Sequence, residues 1–198
     1  MKVLAFDTET TGIPRGTDYT DADNPYLASI TGILYDTETK RIEQSMNLAI
    51  LPEGWTMPPA AGVVNGLTTE YLDSNGIPLA SALAVFFHLV GRADIVVAHN
   101  SAFDKKIMSI ALWRYGLMHG DTPADIHLIV KAWQNHNHYC TMEAAKPIVK
   151  ALNKKGGLKY PKLAEAYQHF FDKELTNAHS ANADTVACLE IYLALQET

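Results

Sequence analysis

Apolar positions along the chain fall into two rhythms. Residues 3–6 form a short, unbroken apolar block that stops at Asp7, the pattern of a strand buried on both faces with a polar residue emerging at its carboxyl end. Residues 29–35 and 42–50 are β-prone runs separated by Asp36-Thr37-Glu38-Thr39-Lys40, a polar connection of hairpin length, so they predict a second and a third strand. Ile95-Val96-Val97-Ala98 is a fourth apolar, β-branched run. The other rhythm is helical. Leu79, Leu83, Phe86 and Val90 recur on one face behind Pro78, with Gly91 as terminator. Phe103, Ile107 and Ile110 mark a helix that follows His99-Asn100 and stops at Gly116, and Leu163, Tyr167 and Phe170 mark another opened by Pro161. A last helix follows His179 and runs almost to the end.

A strand-helix-strand crossover must be parallel and a hairpin must be antiparallel. The order of elements therefore predicts an α/β domain with a mixed sheet that contains an antiparallel hairpin and is flanked by helices. Between Pro14 and Pro25 the chain is rich in Gly, Asp and Pro, which reads as a long surface loop flanking whatever Asp7 builds.

Composition narrows the picture. A length of 198 residues with 47% hydrophobic and 19% charged residues suits one domain over 1–198, large enough to bury a core without disulfides or structural metal. Cys140 and Cys188 are expected as buried free thiols in a reducing compartment. The N-terminus meets charge too early for a signal peptide and no apolar run reaches membrane-spanning length, so a cytoplasmic location without a membrane partner is expected. A net charge of −6 argues against strong indiscriminate adhesion to nucleic acid. Against that average, Lys146, Lys150, Lys154, Lys155, Lys159 and Lys162 lie in one stretch without a carboxylate. That stretch reads either as a phosphate-tracking surface or as a solvated lysine-rich loop.

Candidate chemistry begins at Asp7-Thr8-Glu9. Two carboxylates two residues apart in extended chain project to the same side, where they repel unless a cation lies between them. Asp104 falls in the first turn of a helix behind a buried strand, where peptide dipoles and free N–H groups favour its ionised form. His179 and Asp184, five residues apart, would stand about 140° from each other on one helix. Their spacing makes sense if His179 lies in the connection before the helix, Ser180 or Asn182 caps it, and Asp184 projects from the opening turn. Each feature alone has a plainer reading, but all sit at strand ends or helix starts, where α/β sites assemble. An all-oxygen donor set points to Mg²⁺ or Mn²⁺ rather than zinc, and four acids suit a pair of ions. Such a pair polarises a phosphodiester while a neutral histidine takes the proton from water. His136-Asn137-His138 with Cys140 lacks the ligands for a zinc site and is predicted to be an exposed polar loop.

At these positions the chain resembles the DEDDh 3′→5′ exonucleases of the DnaQ-like group, within the ribonuclease H-like superfamily. The first motif is similar to Phe6-Asp7-Thr8-Glu9-Thr10-Thr11-Gly12, the second to Val97-Ala98-His99-Asn100-Ser101-Ala102-Phe103-Asp104, and the third to His179 through Asp184. Val64-Asn65-Gly66-Leu67-Thr68 resembles the family's His-Gly-Ile-Thr turn, with Asn65 in place of the histidine. Cys140-Thr141-Met142 and Leu163-Ala164-Glu165-Ala166-Tyr167 are similar to stretches of free-standing phage and bacterial members.

The resemblance implies a ribonuclease H-like fold and two Mg²⁺ ions, with Mn²⁺ able to substitute. Asp7 would bridge the ions, Glu9 and Asp184 would complete one site, and Asp104 would support the second directly or through water. His179 would activate the attacking water. Thr8, Thr10, Thr11, Gly12 and Ile13 would seat the 3′-terminal nucleotide, with Asn100 and Phe103 flanking the strand end. The implied activity is removal of 5′-mononucleotides from the 3′ end of single-stranded nucleic acid, DNA ahead of RNA. A polymerase or a homo-oligomer stays open as partner. The rival readings are an exoribonuclease and a catalytically silent module that binds single strands or a polymerase.

Overall fold

The structure is a computed structural model that describes residues 1–175 and 181–197. Five strands, β1 (Lys2–Thr10), β2 (Leu27–Asp36), β3 (Arg41–Ala49), β4 (Ile95–Ala98) and β5 (His138–Cys140), form one sheet in the order β3-β2-β1-β4-β5. β1, β2 and β3 pair antiparallel, whereas β1, β4 and β5 run parallel. The mixed sheet and its hairpin are those the sequence predicts. After β3 come α1 (Pro59–Asn65), α2 (Thr69–Asn75) and α3 (Leu79–Val90); after β4, α4 (Ser101–His119) and α5 (Pro123–Gln134); after β5, α6 (Thr141–Val149), α7 (Leu163–Phe171) and α8 (Ala181–Gln196).

β1 is central because it is apolar on both sides. Leu4 and Phe6 face the core under α3, α4 and α5, where the Phe6 ring meets Phe86 and Trp133 at 5.1 and 6.0 Å. Val3 and Ala5 face the other way, onto Cys188, Leu189 and Tyr192 of α8. The two-residue period of the strand thus separates two helical layers, and α6 and α7 join α8 on the second.

Several expectations need correction. β1 does not end at Asp7 but continues to Thr10, because β2 pairs with it along that whole length, with an irregularity between Glu9 and Thr10. Asp7 and Glu9 are therefore held in a strand rather than in a trailing loop. Gly116 does not stop its helix; α4 runs on to His119, and Gly120 caps it with a left-handed backbone, φ 79°. Gly116 instead gives α5 room, since a Cβ there would sit 2.5 Å from Cγ1 of Ile126.

The segment at His136-Asn137-His138 is an exposed loop only in part: Asn137 is exposed, but His136 and His138 are half-buried. His138 opens β5 as the parallel neighbour of Val96, its Nε2 donates to the Trp133 carbonyl at 2.9 Å, and its ring meets Trp133 edge-on. Cys188 is buried as expected, but Cys140 is only half-buried. Helices α1 and α2 are too short for the apolar pattern to have predicted them and Pro147 inside α6 argues against a helix there, whereas α5 carries Ile126, Val130 and Trp133 on one buried face, a helical spacing that goes unread in the sequence. Among the described residues no helix is long and apolar enough to cross a membrane.

Candidate active site

The acids meet at the carboxyl edge of β1 and β4. Strand alternation sends Asp7 and Glu9 to one side of β1, and α8, packed on β1 and β2, delivers Asp184 from its first turn. One carboxylate oxygen from each of Asp7, Glu9 and Asp184 lies within 4.8 Å of the others. Residues 177 positions apart in sequence are thereby close enough to chelate a common cation.

Asp104 stands slightly apart. It is nearly inaccessible, 3% exposed, in the first turn of α4. Its Oδ1 accepts from the Thr8 hydroxyl at 2.7 Å and from the Thr8 backbone N–H at 3.1 Å. β4 has already ended where β1 reaches Thr8, so this strand N–H turns to the helix for an acceptor. Asp104 remains close enough to be the largest charge acting on Asp7.

Burial and mutual repulsion dominate the electrostatics. Burial, then the charges of Asp104, Glu9 and Asp184, raise the Asp7 carboxyl well above its ordinary range. Burial and the Asp184 charge push Glu9 up to about 7. Burial pushes Asp104 to about 7 in spite of the two Thr8 hydrogen bonds. In the metal-free chain burial works against the N–H groups of the helix N-terminus, which favour the ionised form of Asp104. Among the described residues no lysine or arginine pairs with Asp7 or Glu9. A divalent cation would supply the missing charge and restore all of these groups to their ionised forms, so the donor set fits a hard metal. His179, the expected base, lies outside the described residues.

Beside the acids, a cavity of about 390 Å³ is lined by Thr8 to Ile13 of β1 and the loop after it, by α1 and by Phe103. That volume suits one nucleotide. The predicted substrate residues divide here. Thr8, Thr10 and Thr11 shape the wall: the Thr8 hydroxyl bonds Asp104, Thr10 Oγ1 donates to the Gly12 carbonyl at 2.6 Å, and Thr11 Oγ1 accepts from the Tyr26 N–H at 2.8 Å. Ile13, 82% exposed, and Phe103 offer apolar surface to a ligand. Asn100 is exposed at the start of α4 with a left-handed backbone, φ 74°, and does not line the cavity.

Sequence reasoning missed Ala61 and Val64 of α1 as cavity residues. The available signal was Val63-Val64, two adjacent apolar residues in a Pro- and Gly-punctuated stretch, which the fold leaves 87% and 62% exposed. Asn65, where the resemblance leads one to expect histidine, donates from Nδ2 to the Thr10 carbonyl at 3.1 Å and accepts from the Leu67 N–H at Oδ1. It straps the end of α1 to the end of β1 and so sets the cavity's width.

A mixed sheet in this order, flanked by helices, is a ribonuclease H-like α/β fold, and three acids gather at its edge. The chain belongs to the exonuclease family denoted RNase_T, whose model matches residues 4–192. No curated protein matches it in sequence. In structure it is similar to Escherichia coli exonuclease I in complex with a dT13 oligonucleotide, with 18% identity and a TM-score of 0.72 over 98% of this chain and 40% of that one. It is also similar to the moderately thermophilic exonuclease I from Methylocaldum szegediense, with 17% identity and a TM-score of 0.70 over 99% of this chain and 40% of that one. At such identities the likeness is one of fold, and the chain spans about two fifths of the length of these neighbours.

Proposed function

We propose that the chain is a 3′→5′ exonuclease that removes 5′-mononucleotides from single-stranded DNA, using Mg²⁺, with Asp7, Glu9, Asp104 and Asp184 as the acidic set. The observation that carries this is the convergence of Asp7, Glu9 and Asp184 within 4.8 Å, next to a nucleotide-sized cavity, in a chain of an exonuclease family. Bound there, two divalent ions would polarise the scissile phosphate and stabilise the departing oxyanion.

The chain's own residues do the rest. Asp7 would serve both ions, Glu9 and Asp184 would hold one, and Asp104, held by Thr8, would support the other directly or through water. Ile13, Val64 and Phe103 cover the terminal nucleoside and exclude water from its far side. His179, five residues before Asp184 in the sequence, takes the proton from the attacking water in its neutral form. DNA is favoured over RNA by the fold's likeness to a protein solved with a deoxythymidine oligonucleotide. The whole of 1–198 acts as one exonuclease domain in this reading.

The test is to incubate the protein and its Asp7→Ala variant with matched labelled DNA and RNA single strands and Mg²⁺. Wild type should release mononucleotides from the 3′ end, faster from DNA, and Asp7→Ala should lose at least ~100-fold in rate, the scale of removing transition-state charge stabilisation. Near-normal turnover by the variant refutes the assignment, and binding without release would mark a silent module.

A further inference from the structure

We infer that the turn at residues 150–160 is a docking surface for the nucleic-acid strand upstream of the scissile phosphate; the inference rests on the exonuclease reading above. Six of the chain's sixteen cations lie between positions 146 and 162, where there is no acid. Two of them are engaged: Lys146 sits over the Tyr160 ring at 4.1 Å, and Lys159 pairs with Glu165 at 2.6 Å. Lys150, Lys154, Lys155 and Lys162 are exposed and, among the described residues, form no ion pair.

This lysine-rich segment is a built hairpin. Leu152 bridges Leu158 antiparallel, the Asn153 N–H donates to the Gly157 carbonyl at 2.8 Å, and Asn153 Oδ1 accepts from the N–H groups of Lys155 and Gly157. The tip therefore presents Lys154 and Lys155 in a fixed place. Leu152, Leu158 and Tyr160 are 60%, 61% and 48% exposed beside them. Cations alternating with apolar and aromatic surface suit a strand that offers phosphates on one side and base faces on the other.

The fold brings this hairpin to the site. The register of β1 on β4, Ala5 opposite Val97, sets Asp7 level with His99. The register of β4 on β5, Ala98 opposite Cys140, sets His99 beside Thr141, and His99 Nδ1 lies 2.9 Å from the Thr141 hydroxyl. His99 Nε2 then donates to the Pro161 carbonyl at 3.1 Å, which pins the chain just after the turn to the sheet edge that holds the acids. Neighbouring strands are ~4.8 Å apart, so that anchor is on the order of 10 Å from the strand of Asp7.

Direction follows from the layers. The nucleotide-sized cavity opens on the α1 and α4 side of the acids, whereas the hairpin joins α6 to α7 on the layer of α8. A strand whose terminal nucleotide fills the cavity and whose scissile phosphate lies over Asp7, Glu9 and Asp184 leaves toward the hairpin. The net charge of −6 makes such a local cationic path necessary for affinity.

The test compares wild type with the double variant Lys154→Gln/Lys155→Gln, checked for an unchanged melting temperature, on a 12-nucleotide single strand and on the p-nitrophenyl ester of thymidine 5′-monophosphate, which has no upstream strand. The ratio of kcat/KM for the 12-mer to that for the ester should fall about 10-fold in the variant, and the slope of log binding constant against log salt should flatten by ~1.4, the share of two single-strand phosphate contacts. An unchanged ratio and slope overturn the inference while leaving the exonuclease reading intact. If wild type cleaves neither substrate, that reading fails, and the salt slope of 12-mer binding, measured by fluorescence anisotropy, decides the docking surface alone: flattening supports it and an unchanged slope overturns it.

Discussion

Glu9→Gln should stabilise the metal-free protein at alkaline pH and abolish most of its response to metal. Burial and the neighbouring Asp184 charge move the Glu9 carboxyl from 4.5 to about 7. The folded chain therefore holds this proton between those two values, while the unfolded chain releases it near the lower one. For a raised carboxyl the sign is fixed: its contribution to stability is present in full below pH 4.5, declines as pH rises to about 7, and stays lost above that. At pH 8 the uncompensated charge would weigh ~3 kcal/mol against the fold. Glu9 is half-buried, and screening by water reduces the net effect to ~1–2 kcal/mol. For a chain of this size that is a rise of about 2–8 °C in melting temperature for Glu9→Gln at pH 8, with little difference at pH 4. The assay is thermal unfolding followed by circular dichroism in EDTA from pH 4 to 8, repeated with millimolar Mg²⁺. Metal should raise the wild-type melting temperature by mass action and should affect the variant much less. A variant less stable than wild type in EDTA at pH 8, or a difference that does not grow with pH, refutes the reasoning.

Three further outcomes follow from named contacts. Thr8→Val removes the hydroxyl that binds Asp104 at 2.7 Å. It should lower metal affinity ~10-fold, with Thr8→Ser restoring it, as expected when a ligand's orienting partner is lost; titration of metal against activity measures both. Gly76→Ala would place a Cβ 2.4 Å from the Leu72 carbonyl oxygen and 2.5 Å from the Leu51 nitrogen. Both are backbone atoms that cannot rotate away, so the melting temperature should drop by the equivalent of ~2 kcal/mol or more, although φ of −74° at this position suits any residue. Cys188 is buried and its thiol is pushed up by burial. A thiol reagent at pH 8 should modify Cys188 only on unfolding and Cys140, half-buried, in the folded chain; mass spectrometry of peptides from the labelled protein distinguishes the two.

Much of the architecture was legible in the order of residues. The apolar block 3–6, the paired β-prone runs and the 95–98 run became β1, β2, β3 and β4; burial of one or both faces accounts for β1, β2 and β4, whereas β3 is mostly exposed and is held by its pairing with β2. The Asp7-Thr8-Glu9 spacing fixed two carboxylates on one side of β1 for the same local reason. The sequence also determined that a third acid, Asp184, would open the last helix. Contacts across the chain decided the rest. Three-residue β5 and nine-residue α6 exist because β4 and the α7–α8 layer hold them, and neither has enough apolar repeats to announce itself. Gly116 reads as a helix stop until Ile126 of α5 is seen against it. Asp104, placed in the right turn by sequence, takes its charge state from burial and from a hydroxyl 96 residues away. A periodic pattern records which side of an element is dry, but the field at a carboxylate depends on neighbours that only the closed sheet and its two helical layers bring near.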